Sequence, residues 1–361
     1  MKPPVATATQ FLIATVRDAG STEADLDDAA RSFIETVVSA SAGDAADALS
    51  AVAGLFSLED MKRAGFLALV CGILVDGGCD PSTIARPLHE RLHSLLEAAA
   101  ALADACRARM PKSESEDQDQ DPDEAFEVIR RELASELPIE TAAWEALSRF
   151  WSPAIVVFSF CASARAAARG LRDLATSIAD HHEAGHWLGL MLSVLDDEPI
   201  LVIEPRTGLG ILGRISGVVD NFQLNVLLMD GFPNPGLMAG RRVPQHVADV
   251  ARGTGPQQTE DTVTGVWNLH TWRAVGPDLQ LPNPDDLAAS TEWIWNEGSP
   301  ADVPVFQGRR VVLLGPPAYA RTWGSQRVFA KLPARLECER QLTKDEVADW
   351  LRRMVAAKSA G

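Results

Sequence analysis

The chain has 361 residues, 46% hydrophobic and 23% charged, which is ample core material for two or three globular domains. A formal net charge of −17 argues against a nucleic-acid backbone or an anionic membrane surface as partner. Five scattered cysteines, Cys71, Cys79, Cys106, Cys161 and Cys338, form no CxxC pair, which points to reduced thiols in a cytoplasmic setting and away from a cysteine zinc site.

Residues 1–20 lack the charged-then-apolar layout of a signal peptide. The longest apolar runs, Phe66–Val75 and Ala154–Ala162, fall far short of the ~20 residues that span a bilayer, so no membrane anchor is expected. Residues 1–110 read as a helical domain. Asp25–Ala42, Ala45–Phe56, Leu58–Val75 and Pro81–Arg109 are rich in Ala and Leu with a period near 3.6, with Ser57 as an N-cap and a break at Gly77, Gly78 and Pro81. His89-Glu90-Arg91-Leu92-His93 spells H-E-x-x-H, but Arg91 would set a positive charge beside any metal. The pentamer reads as a polar stripe next to Leu92 and Leu96. This domain is expected to carry contacts with a protein partner rather than chemistry.

Residues 111–124 form an acidic stretch, with Glu114, Glu116, Asp117, Asp119, Asp121, Asp123 and Glu124 and no base among Ser113–Glu124, and it reads as a linker. Its D-x-D-x-D spacing lacks the glycine and the closing Glu of a calcium loop. Helices are expected at Ala125–Leu137, Ala142–Phe150 and, after Pro153, Ala154–Arg169. A further helix is expected over roughly Leu171–Leu195.

That last helix carries His182-Glu183-Ala184-Gly185-His186, the H-E-x-x-H pattern of zinc hydrolases. Residues four apart on a helix share a face, so His182 and His186 can present two imidazole nitrogens to one Zn2+ at about 2.0–2.1 Å each. Glu183 then reaches a metal-bound water, whose proton it takes as general base. Apolar residues surround the pentamer, including Leu171, Leu174, Ile178, Leu188 and Leu192, so the helix is expected to be buried and its polar side chains need partners. A metal is one such partner; hydrogen bonds within the core are the other.

Downstream come β signals at Ile200–Ile203, Gly210–Val219 and Leu224–Leu228, then a loop-rich stretch over 232–260. Asp261–Ala274 reads as a helix with Asp261 at its start, either as a cap or as a metal ligand. Residues 277–361 read as a smaller α+β unit. It has helical character at Pro284–Trp295, strands at Val303–Phe306, Arg310–Leu314, Val328–Leu332 and Arg335–Glu339, and a final helix Thr343–Ala357 opened by a Thr343–Glu346 capping box. Gly315–Thr322 echoes a phosphate-binding loop but has Ala320 and Arg321 where glycine and lysine are required.

A catalytic zinc takes a third protein ligand and leaves a fourth position open. A third His ten residues after the first would fall at Leu192, and Glu204, though close enough, follows a strand rather than a helix. The run His182–His186, then Asp197 through Arg206 (Asp-Glu-Pro-Ile-Leu-Val-Ile-Glu-Pro-Arg), then Gly208-Leu209-Gly210, resembles the protease domain of FtsH-type ATP-dependent zinc peptidases. Met238-Ala239-Gly240-Arg241 is similar to that family's A-G-R segment, and Thr254-Gly255 followed by Glu260-Asp261 to the segment bearing its third ligand. The resemblance covers roughly 171–275 and implies His182, His186 and Asp261 as ligands with Glu183 as base. It departs from the family in lacking an ATPase domain, an intact P-loop and a membrane anchor, and in having Trp187 after the second His. The spacing to Asp261 is stretched by about two residues, which leaves Glu260 and Glu204 open as third ligands.

The expectation is thus an α+β, predominantly α chain: a helical domain at 1–110, a linker at 111–124, a zincin-like peptidase domain with a small sheet at 125–276, and a C-terminal α+β unit at 277–361. The expected function is a zinc-dependent metallopeptidase that cleaves a peptide or protein substrate without ATP. The alternative is a catalytically silent adaptor of peptidase-like build with a structural zinc.

Overall fold

The computed structural model describes residues 3–110, 121–232, 243–284 and 291–360. Most of the acidic linker, the Met238–Arg241 segment and the middle of the Pro284–Trp295 helix lie outside the described residues. The fold is α+β and mostly helical, and the chain divides into two compact units, Met1–Leu192 and Ser193–Gly361.

The first unit is all helical: α1 (Val5–Arg17), α2 (Glu23–Val37), α3 (Ala42–Ala53), α4 (Met61–Asp76), α5 (Ser82–Arg109), α6 (Pro122–Leu133), α7 (Pro138–Phe160), α8 (Ala162–Ala168), α9 (Arg172–Ser177) and α10 (Glu183–Ser193). The expected linker at 111–124 falls within the first unit, and α7 lies along both α4 and α5. The reason is in α4 itself: it is apolar nearly all round, and it buries Leu67, Ala68, Cys71, Leu74 and Val75. Phe150 of α7 meets Phe56 edge-on at 6.0 Å in the same core. Pro153 does not end the helix; α7 runs through it, and the ring faces Gly72 of α4, where an added Cβ would lie 3.1 Å from it. α4 starts at Asp60 rather than Ser57, since the Asp60 carboxylate accepts the N–H groups of Lys62 and Arg63.

The second unit is built on a mixed sheet. Its strands are β1 (Glu198–Glu204), β2 (Leu209–Ser216), β4 (Asn268–His270), β5 (Val305–Phe306), β6 (Arg309–Gly315) and β8 (Arg335–Gln341), in the order β4-β6-β1-β2-β8 with β5 on β6. β1 pairs antiparallel with β2 and parallel with β6. The run Ile200-Leu201-Val202-Ile203 is continuous because both faces are covered. Ile200 and Val202 join the core under α11 (Asn221–Gly231) and α12 (Gln245–Arg252), while Leu201 and Ile203 join the core under α13 (Lys344–Ala360). A separate two-stranded ribbon pairs β3 (Gln258–Thr264) with β7 (Thr322–Gln326).

Three expected elements are corrected here. Leu224–Leu228 lies inside α11, whose residues are buried on every side and so show no helical period; Asp220 caps the helix by accepting the Gln223 N–H at 2.7 Å. Asp261–Ala274 is not a helix: Asp261 sits in β3, held there by its distant partner β7, and β4 follows. Val328–Leu332 is not a strand; β7 lies just before it. The Thr343–Glu346 capping box is present at α13, with the Thr343 N–H donating to Glu346 at 2.8 Å. Among the described residues, no helix is long and apolar enough to cross a membrane.

Candidate metal centre

The expected single helix from Leu171 to Leu195 is broken. α9 ends at Ser177, the chain turns through Ile178–His182, and α10 begins at Glu183. Gly185 is what permits the break. A Cβ there would lie 2.6 Å from the Ile178 side chain, 2.7 Å from the Ala175 carbonyl oxygen and 2.9 Å from the Ala179 nitrogen. The first turn of α10 thus seats directly on the turn that precedes it.

His182 therefore precedes the first helical residue and acts as the cap of α10. Its Nδ1 accepts the Ala184 N–H at 3.0 Å. The proton must then sit on Nε2, which donates to the main-chain carbonyl of Trp144 at 2.9 Å. The ring also stands edge-on to the Trp144 indole, with centroids 4.7 Å apart. Burial holds the imidazole below its ordinary pKa, with the hydrogen bond to Trp144 opposing that shift in part. His186 is different: it is exposed, and its ring meets Trp187 edge-on at 5.1 Å. Glu183 is also exposed and accepts the Trp187 indole N–H at 3.2 Å.

Two histidines four residues apart present a shared face to one metal when both lie inside one helix, each with a free ring nitrogen. In this arrangement His182 is capping and inward, with both nitrogens used, while His186 is outward. His182 thus lies outside the helix that the shared-face spacing assumes, and His186 lies inside it. The candidate third ligands lie in the second unit. Asp261 accepts from, or shares a proton with, His246 Nε2 at 2.7 Å, and both side chains are more than half exposed. Glu204 is buried at the end of β1 and accepts the Thr207 hydroxyl at 2.6 Å; Glu260 is exposed on β3. No group of three His, Cys, Asp or Glu side chains among the described residues is placed to hold a metal ion. With Nδ1 accepting from Ala184 and Nε2 donating to Trp144, His182 offers no free lone pair in this arrangement.

A cavity of about 250 Å³ opens beside His182 and Glu183, lined also by Asp123, Phe126, Glu127 and His181. His181 lies flat on Phe126, with centroids 3.8 Å apart, and its Nδ1 is 3.1 Å from Asp123. Glu127 is held below the ordinary carboxylate range by its hydrogen bonds from Arg130. Sequence reasoning missed the His181–Asp123 pair, because it joins residues 58 positions apart and Asp123 reads as one more acid of the linker. The adjacent histidine was the one available signal.

No family model, no curated protein and no solved structure matches this chain.

Proposed function

We propose that this chain is a non-hydrolytic protein-binding protein, in which H-E-x-x-H serves as the N-terminal lock of α10. The observation that carries this reading is the double engagement of His182: Ala184 uses Nδ1 and Trp144 uses Nε2, so no lone pair is left for a metal. The first unit also keeps open a channel lined by both apolar and charged side chains, a feature that suits a binding role.

The test is metal content by mass spectrometry after zinc loading and desalting, followed by cleavage of unfolded casein with and without chelator. Far less than one zinc per chain and no chelator-sensitive cleavage are expected, with Glu183→Gln indistinguishable from the parent. One tightly held zinc that His182→Ala and His186→Ala release, with cleavage lost in Glu183→Gln, would overturn it.

The second reading is a zincin-like metallopeptidase of the FtsH type, independent of ATP. It is favoured by the pentamer at the start of a helix that leads into the antiparallel β1–β2 hairpin, and by the exposure of Glu183 and His186. It requires His182 Nε2 to leave the Trp144 carbonyl.

A further inference from the structure

α4 has a second apolar face. Phe66, Leu69, Val70 and Ile73 follow the i, i+3, i+4, i+7 spacing by which helices pack on one another. This stripe is left half open, and Ile73 is 57% exposed. α2 does not close it, because α2 packs chiefly on α1. Its own Leu26, Ala30 and Ile34 instead line the opposite wall of a channel of about 890 Å³. A helix that is apolar on two faces is ordinarily buried on both.

The channel has a length and a charge pattern. From Leu26 to Ile34, α2 rises about 12 Å, and from Phe66 to Ile73, α4 rises about 10 Å, which is two turns of an incoming helix. The α2 wall carries Glu23, Asp27 and Glu35 against one base, Arg31, which pairs with Asp28 at 3.5 Å; Glu23 and Asp27 have no ion-pair partner among the described residues. The facing wall carries Lys62, Arg63 and Arg149 against one acid, Asp60, which pairs with Arg63 at 3.3 Å. Lys62 has only a loose 3.9 Å contact with Glu145, and Arg149 donates to a main-chain carbonyl rather than to a carboxylate.

We propose that this channel seats one amphipathic helix of a partner protein. That helix carries apolar side chains at i, i+3, i+4 and i+7, basic residues on the flank that meets Glu23 and Asp27, and acidic residues on the flank that meets Lys62 and Arg149. The inference rests on the binding reading above and names the chemistry of its partner. The apolar stripe supplies the affinity, and the two walls of opposite charge supply the selection.

The test uses the full chain and two labelled helical peptides of about 15 residues, long enough to hold a helix when bound. Both carry Leu at i, i+3, i+4 and i+7. One has Lys on one flank and Glu on the other; the second has Glu on both. Fluorescence anisotropy should show the mixed peptide binding at least about tenfold more tightly than the all-acidic one. The double variant Glu23→Lys with Asp27→Lys makes both walls basic and should reverse that preference. Ile73→Glu, at an exposed position that leaves the core intact, should remove binding while circular dichroism and Tm stay unchanged.

Equal binding of the two peptides, no reversal in the double variant, or unchanged affinity in Ile73→Glu would each overturn the proposal. So would uptake of a small apolar dye with no peptide bound. Chelator-sensitive cleavage of a bound peptide would instead defeat the non-hydrolytic reading and leave the channel assignment standing.

Discussion

His182 and Trp144 are joined by a hydrogen bond of 2.9 Å from an imidazole N–H to a main-chain carbonyl, and this bond fixes the tautomer that caps α10. The side chain that looks most like a metal ligand is thus a brace between two helices of the first unit.

Replacing this brace is expected to weaken the fold. His182→Ala loses a helix cap and the second hydrogen bond to the Trp144 carbonyl, at a cost of about 1–3 kcal/mol. His182→Asn keeps the cap and should recover part of that loss. Thermal unfolding of the three proteins checks it. Equal Tm values for the parent and His182→Ala would show that the cap contributes nothing.

Gly185 and Gly189 should answer differently to the same substitution. At 185 a methyl group meets side chain and main chain under 3.0 Å, so Gly185→Ala should destabilise by about 1–3 kcal/mol. At 189 the nearest atom is the Thr176 hydroxyl at 3.4 Å, an ordinary contact. Gly189→Ala should then be neutral or stabilise by up to about 1 kcal/mol through helix propensity. Urea unfolding of both variants provides the comparison.

The two units should respond differently to acid. Burial depresses the pKa of His182, and burial with the nearby Arg321 charge brings His270 down to about 4. A base depressed in the folded state contributes stability that is complete above its unfolded pKa, ~6.5, and is lost as pH falls toward the folded value. For His270 that window runs from about 6.5 to about 4 and is worth at most about 3 kcal/mol. Asp220 acts in the opposite direction. Burial raises it from 3.8 to about 6, so its contribution is present below 3.8 and is lost as pH rises through 6. Between about 4 and 6 the two trends oppose each other within the second unit. Hydrogen exchange, corrected for intrinsic rates, should therefore show protection in the first unit falling below about pH 6.5 while the second changes little. Asp220→Asn keeps the cap of α11, and it should make the second unit acid-sensitive as well.

Thiol labelling offers a further check on the first unit. Cys71 is fully buried, and burial pushes its thiol up, whereas Cys161 is partly open and Cys338 exposed. Cys161 and Cys338 should react with an alkylating reagent at least about a hundredfold faster than Cys71. Mass spectrometry of the labelled peptides reads this directly. Early labelling of Cys71 would mean that α4 opens away from α7.

The helices of the first unit were legible because Ala and Leu repeat at helical spacing, and β1 because its four apolar residues run together between polar ends. α11 was not legible. Its residues are buried all round, so no period separates a helix from a strand. β3 was not either: Asp261 looks like a helix cap until β7, about 60 residues later, is known to pair with it. The pentamer at 182–186 was legible as a pattern and not as a geometry. The spacing of two histidines defines a shared face only if the helix already includes the first, and the seat made by Gly185 is a tertiary fact with no local signature beyond the glycine itself.

The place of β1 between β2 and β6 bears on synthesis. Ile200 finds its parallel neighbour at Arg310, over a hundred positions later in translation. At about 5–20 residues per second the nascent hairpin waits about 5–20 s with one apolar edge bare. During that interval Ile200–Ile203 is a template for other growing chains, so yield from expression should improve when holding chaperones are abundant or elongation is fast.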